Sequence, residues 1–240
     1  MPREFEIRKE ITLDATPEQV WEAIATGPGL EAWFMPMELP PDGAGATVWD
    51  PPKHFATRTP VAEDGSTHAF EYLIEARDGG STVLRFVHSG FLGDDWDAEY
   101  EGMTSHGWDM YLHTLAQYLT YFAGRPATYV EAEGPPASAE ASAWPVLLRE
   151  LGLSGPVEAG EQVRLTPDGP APIEGVVDYV EPAFLGVRTD EALIRFHGRA
   201  ALGMTVAVAQ HIYRDGVDRS EIEQTWKSWL HRVFAQECAE

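Results

Sequence analysis

At 240 residues, with 44% hydrophobic and 11% aromatic side chains, the chain can bury one large core or two smaller ones, which excludes wholesale disorder. Its formal charge of -22 is spread from Glu4 to Glu240 with no basic cluster, so nucleic acid and anionic lipid are excluded as partners and the charge reads as a solubility device. A single cysteine, Cys238, rules out an intrachain disulfide or a Cys-rich metal site; with a charged N-terminus and no apolar run near the roughly 20 residues that span a bilayer, a soluble, cytoplasmic protein is expected.

Glu4–Leu13 alternates Phe5, Ile7, Ile11 and Leu13 with charged residues and reads as a first strand, with an irregularity near Lys9. Thr16, Pro17 and Gln19 form a capping-box helix start, and the helix Pro17–Ala25 carries Val20, Trp21 and Ile24 inward. Gly27-Pro28-Gly29 ends it, and a second short helix over Leu30–Phe34 presents Leu30, Trp33 and Phe34. Met35–Gly45 is rich in Pro and Gly and reads as loop or irregular edge; Ala46–Arg58 then supplies two short strand pieces separated by Pro51-Pro52. After a turn at Glu63-Asp64-Gly65, His68–Ala76 and Ser81–His88 form a hairpin. Phe70, Tyr72 and Ile74 share one face of it, as do Leu84, Phe86 and His88. Met103–Phe122 is a long helix whose inner stripe is Trp108, Tyr111, Leu112, Leu115, Leu119 and Phe122, with Ser105, Asp109, Thr114 and Gln117 mostly on its outer side. A helix of this kind needs a broad apolar partner, and the hairpin before it supplies one.

Arg125–Ser142 has the Pro, Gly, Ala and Glu content of a linker. A short helix over Ala143–Leu151 follows, then strands at Glu161–Leu165, Ile173–Val180, Phe184–Arg188, Leu193–His197 and Met204–Tyr213. The last helix, Arg219–Phe234, carries Ile222, Trp226, Trp229, Leu230 and Val233. Trp108-x-x-Tyr111-Leu112-His113 and Trp226-x-x-Trp229-Leu230-His231 share a pattern, and each follows a strand bearing a histidine, His88 or His211. The second half therefore reads as a shortened repeat of the first. The expected organisation is a domain over 1–124, a linker over 125–142 and a second α+β region over 143–240.

The opening strand, Ala15-Thr16-Pro17-Glu18-Gln19-Val20-Trp21-Glu22-Ala23-Ile24, Leu30–Trp33, Trp49-Asp50-Pro51-Pro52, Gly80–His88 with Gly90-Phe91, and Gly107-Trp108 together resemble the START-like, or SRPBCC, superfamily. The branch they look most like is that of the activator of heat-shock-protein-90 ATPase. The resemblance implies an α+β helix-grip fold: a curved antiparallel sheet around a long C-terminal helix, two short helices closing one end, and a cavity that takes apolar small molecules in many members. Two departures stand out. The stretch between Trp33 and Trp49 is short and Pro-rich, and the region past the first domain reads as a sheet and final helix without the first strand and helix pair.

Strand parity and the helical stripe make Trp33, Phe34, Phe70, Tyr72, Phe86, His88, Trp108, Tyr111, Leu112 and Leu115 the candidate ligand-binding residues. They suit a pocket and a solid core equally. His88 is aimed toward the cavity, where an imidazole orients a ligand or moves a proton; the plainer alternative is a histidine hydrogen-bonded near the sheet end. Tyr72 and Tyr111 are more informative, because a buried hydroxyl needs a partner. Asp94, Asp95, Asp97 and Glu99 lack calcium-loop spacing, and the eight histidines define no zinc site. With no phosphate loop, dinucleotide fingerprint or G-x-S-x-G elbow, no metal, cofactor or catalytic set is expected. Three functions stand in order: binding of an apolar or aromatic small molecule; a cyclase, dehydratase or hydrolase using the same cavity with His88 as acid or base; and a co-chaperone-like protein interaction with an unspecified partner.

Overall fold

The computed structural model describes residues 3–92 and 99–235, so Asp94, Asp95, Asp97 and Cys238 lie outside the described residues. The chain divides into two compact units, Met1–Pro126 and Ala127–Glu240.

In the first unit the order is β1 (Arg3–Leu13), α1 (Pro17–Ala25), α2 (Gly27–Glu31), β2 (Val48–Asp50), β3 (His54–Arg58), β4 (Thr67–Ala76), β5 (Thr82–Leu92) and α3 (Glu99–Tyr121). The strands form one antiparallel sheet, β1-β5-β4-β3-β2, and α3 packs against β1: the helix-grip arrangement. β1 pairs residue for residue with β5, from Arg3 opposite Leu92 to Leu13 opposite Thr82, with no irregularity at Lys9. Lys9 instead sits opposite Phe86 on the face that carries buried Phe5, Ile7 and Leu13, and its ammonium reaches Asp109 of α3 at 2.8 Å. The break in the apolar pattern is thus an ion pair between sheet and helix. Its aliphatic stem stays on the apolar face while the charge finds a partner.

The capping box at α1 is complete: Thr16 Oγ1 accepts from the Gln19 N–H at 3.3 Å and Gln19 Oε1 accepts from the Thr16 N–H at 2.9 Å. α2 starts three residues before the position expected from sequence. Thr26 accepts from the Gly29 N–H at 3.0 Å and donates to the Glu22 carbonyl at 2.8 Å, so Gly27-Pro28-Gly29 opens the second helix as well as closing the first. A side chain at position 29 would come within 2.0 Å of the Glu22 carbonyl, which is why the chain can reverse so tightly only with glycine there. Along α3, Trp108, Leu112, Leu115, Leu119 and Phe122 are buried. Thr114, expected on the polar side, is fully buried because its hydroxyl donates to the Met110 carbonyl at 2.8 Å.

The second unit runs β6 (Thr128–Glu133), α4 (Ala143–Glu150), β7 (Gln162–Leu165), β8 (Ile173–Glu181), β9 (Phe184–Arg188), β10 (Ala192–His197), β11 (Ala207–Ile212) and α5 (Arg219–Ala235). Residues 128–133, read from composition as linker, are a strand paired with β11 from Thr128 opposite Ile212 to Glu133 opposite Ala207. The surrounding Pro126, Gly134, Pro135 and Pro136 mask a short run whose Tyr129, Val130 and Ala132 are buried. With it the sheet is β6-β11-β10-β9-β8-β7. The second unit therefore does possess a first strand and a helix after it. Both units follow one connectivity: a strand, helical turns, an antiparallel meander that returns beside the first strand, and a final helix against that first strand. In the second core Trp226, Trp229, Leu230 and Phe234 of α5 pack with Val130, Leu147, Val187 and Phe196.

Candidate functional site

The first unit's sheet is covered unevenly. Over β5, Trp108 fills the space: its ring lies 4.2 Å from Phe86, Phe34 stacks on it at 5.4 Å, and its indole N–H donates to His88 Nδ1 at 2.9 Å. Over β3 and β4 a cavity of 190 Å³ remains. Phe55 and Thr57 of β3 stand opposite Tyr72 and Phe70 of β4 on one sheet face and form its wall. Ile24 of α1, Leu30 of α2 and Trp108 close the far side, and Phe34, Met35, Met37 and Leu39, from the segment between α2 and β2, complete the enclosure. Met35 and Met37 are exposed, which puts the mouth at this segment.

Of the candidate residues, Phe34, Phe70, Tyr72 and Trp108 meet at the cavity. Trp33, Phe86, His88, Leu112 and Leu115 are buried away from its wall; Trp33, for example, donates its N–H to the Ala23 carbonyl at 2.9 Å. Tyr111 meets Phe34 edge-on at 4.7 Å without reaching the cavity. Sequence reasoning missed Ile24, Leu30, Met35, Met37, Leu39, Phe55 and Thr57. One signal was present: Met35, Met37 and Leu39 alternate as in an extended segment with one apolar side, within a stretch read as loop or irregular edge.

His88 belongs to a fixed relay rather than to the cavity. Its Nδ1 accepts from Trp108, so its proton sits on Nε2, which donates to His68 Nδ1 at 3.0 Å. Phe70 stacks on the ring at 4.5 Å and Phe5 meets it edge-on at 4.9 Å. Burial, with His68 beside it, pushes the His88 imidazole down to about 4, and burial lowers His68 as well. Protonation would put a second N–H against the indole N–H. Between pH 6.5 and about 4 the unfolded chain therefore binds a proton that native His88 refuses. Stability from this residue is present above that window and is lost as pH falls through it, by roughly 2–3 kcal/mol. Urea midpoints at both ends of the window should show a smaller acid loss in His88→Gln than in the parent chain. Equal losses would remove His88 as the cause and leave buried His197, pushed down to about 3 by burial and by Arg199 and Arg195, as the dominant group.

Tyr72 and Thr57 are the polar residues of the cavity wall. Tyr72 is 5% exposed and its ring stacks on Phe55 at 5.8 Å; burial pushes its ionisation well up, so the phenol is neutral. Among the described residues its hydroxyl has no hydrogen-bond partner. Also among them, no group of three or more His, Cys, Asp or Glu is placed to hold a metal ion, and no helix is long and apolar enough to cross a membrane.

Residues 14–120 match the family profile described as Activator of Hsp90 ATPase homolog 1-like protein. No curated protein matches the chain in sequence. Among solved structures, the Aha1 dimer from Colwellia psychrerythraea is 20% identical with a TM-score of 0.37, over 48% of this chain and 96% of that one. DynU16, from the dynemicin biosynthetic locus, is 14% identical with a TM-score of 0.39, over 98% of this chain and 99% of that one. CalU16 from Micromonospora echinospora is 17% identical with a TM-score of 0.37, over 50% and 87% respectively.

Proposed function

Given an N-terminal unit of the Activator of Hsp90 ATPase homolog 1-like kind, built as a START-like helix grip, we propose that this unit binds a compact apolar or aromatic molecule carrying one polar atom. The observation that carries this reading is the unpartnered Tyr72 hydroxyl in an enclosure that is apolar apart from it and Thr57. The hydroxyl faces the cavity with its proton uncommitted, so a ligand oxygen that accepts it gains a hydrogen bond worth about 0.5–1.5 kcal/mol net. The rest of the wall supplies flat and branched apolar surface, the usual composition of a small-molecule site. Size narrows the class. A dry apolar cavity of about 150 Å³ holds benzene, so 190 Å³ suits a single substituted ring. A longer molecule would pass out between Met35 and Met37, whose unbranched side chains readjust easily. Binding is favoured over acid–base catalysis because His88, the residue proposed for the proton, stands behind Trp108 with both nitrogens held.

Acetophenone and ethylbenzene test this directly, since they differ at the carbonyl that Tyr72 would meet. With the methyl resonances of Met35 and Met37 as the readout, acetophenone is expected to bind about tenfold more tightly, and Tyr72→Phe to erase the difference. Methyls that stay unmoved by either compound, or a preference for acetophenone that survives Tyr72→Phe, would overturn the reading.

A further inference from the structure

The second unit has a larger, half-open space of 570 Å³ between its sheet and the start of α5. We propose that it is a separate ligand site, for a neutral, flat, apolar molecule bearing a carboxamide-like edge. Gln210 is its central residue. It lies on β11 opposite Ile194 of β10 and Val130 of β6, on the sheet face that meets α5, and is 7% exposed. Its carboxamide borders the cavity and, among the described residues, makes no hydrogen bond. A carboxamide offers one acceptor and two donors, so its complement is an edge that presents a donor and an acceptor side by side. Apolar surface beside it comes from Ile194 and Ile212 of the sheet and Ile222 and Trp226 of the helix, and the rest of the lining is polar.

Other polar groups here are already engaged. Thr225 donates to the Glu221 carbonyl at 2.7 Å, and Thr189 Oγ1 accepts from the Ala192 N–H at 2.9 Å. The start of α5, which would otherwise draw an anion, is occupied by its own carboxylate: Asp218 accepts from the Glu221 N–H at 3.0 Å. Glu191, Asp218 and Glu221 stand at the mouth against Arg214, itself 3.7 Å from Glu191. That balance disfavours anions. The volume falls within the range of sites for drug-sized ligands, about 300–1,000 Å³.

The full chain, labelled with ¹⁵N and methyl-¹³C, should be titrated with 2-naphthamide and with 2-naphthoate, which has the same rings and a negative charge. The expected result is a shift of the Gln210 side-chain amide and of the Ile194 and Ile222 methyls by the amide, with 2-naphthoate roughly tenfold weaker. Gln210→Leu is expected to weaken 2-naphthamide roughly tenfold while leaving Tm nearly unchanged, because the amide makes no hydrogen bond within the unit that leucine would break. Ile222→Trp, which fills the pocket from its half-buried wall, should abolish the shifts. Shifts confined to the first unit, undiminished binding to Gln210→Leu, or equal binding of the carboxylate would each overturn the proposal.

Discussion

Trp108→Ala is expected to destabilise the first unit by about 3–5 kcal/mol, the range for deleting a large buried aromatic side chain. Three losses coincide at this residue. The indole covers Phe86 and Phe34, its removal opens the 190 Å³ cavity into the space above β5, and His88 Nδ1 loses its donor. Trp108→Phe separates these contributions, because it keeps much of the ring contact and removes only the indole N–H; about 1–3 kcal/mol is expected for the unpaired acceptor. Hydrogen exchange of the α3 and β5 amides reads the effect inside the unit concerned. A loss under about 1 kcal/mol for the alanine variant would mean that Trp108 lines a site without holding the fold together, since surface-like positions change stability that little.

The first unit was largely legible in its sequence because its signals are local. Thr16 and Gln19 lie three residues apart and cap one helix, and the hairpin faces follow from simple alternation in β4 and β5. The candidate site was legible only in part, since a pocket is where packing stops. Alternation placed Phe86 and Tyr72 on one face equally, opposite each other in register. Only the position of Trp108 decides that the first is core and the second wall. His88 failed as a cavity residue for the same reason: parity gave its direction, and the indole that intercepts it comes from a helix 20 residues away. The strand at 128–133 was hidden by its flanks, and Lys9 looked like a defect because its partner, Asp109, is 100 residues distant. Gln210 carried no signal at all, since one polar residue in an apolar strand becomes informative only when its lack of a partner is seen.

Asp178→Ala is expected to cost about 3–5 kcal/mol, the range for breaking a buried ion pair by removing one partner. Arg195 of β10 and Asp178 of β8 meet across the intervening β9 through two bonds, of 2.9 and 2.8 Å, with side-chain exposures of 1% and 4%. Local backbone explains how they reach. Register shifts between Val177 and Tyr179, so Asp178 sits in a bulge that re-aims its side chain. Between the two strands stands Gly186, where a Cβ would come within 2.8 Å of both Arg195 Nη1 and Asp178 Oδ1. The pair lies on the face opposite Gln210, so its loss should weaken the sheet without touching the proposed site. In the alanine variant the guanidinium stays buried with its main counter-charge gone. The double variant Asp178→Leu with Arg195→Met is expected to recover most of the loss, since apolar replacement of a whole buried pair is near neutral or stabilising. Urea midpoints of the two single variants and the double variant yield the coupling between the side chains. Single variants that cost under about 1 kcal/mol would show that water screens the pair as it does surface salt bridges, and would contradict the burial on which the argument turns.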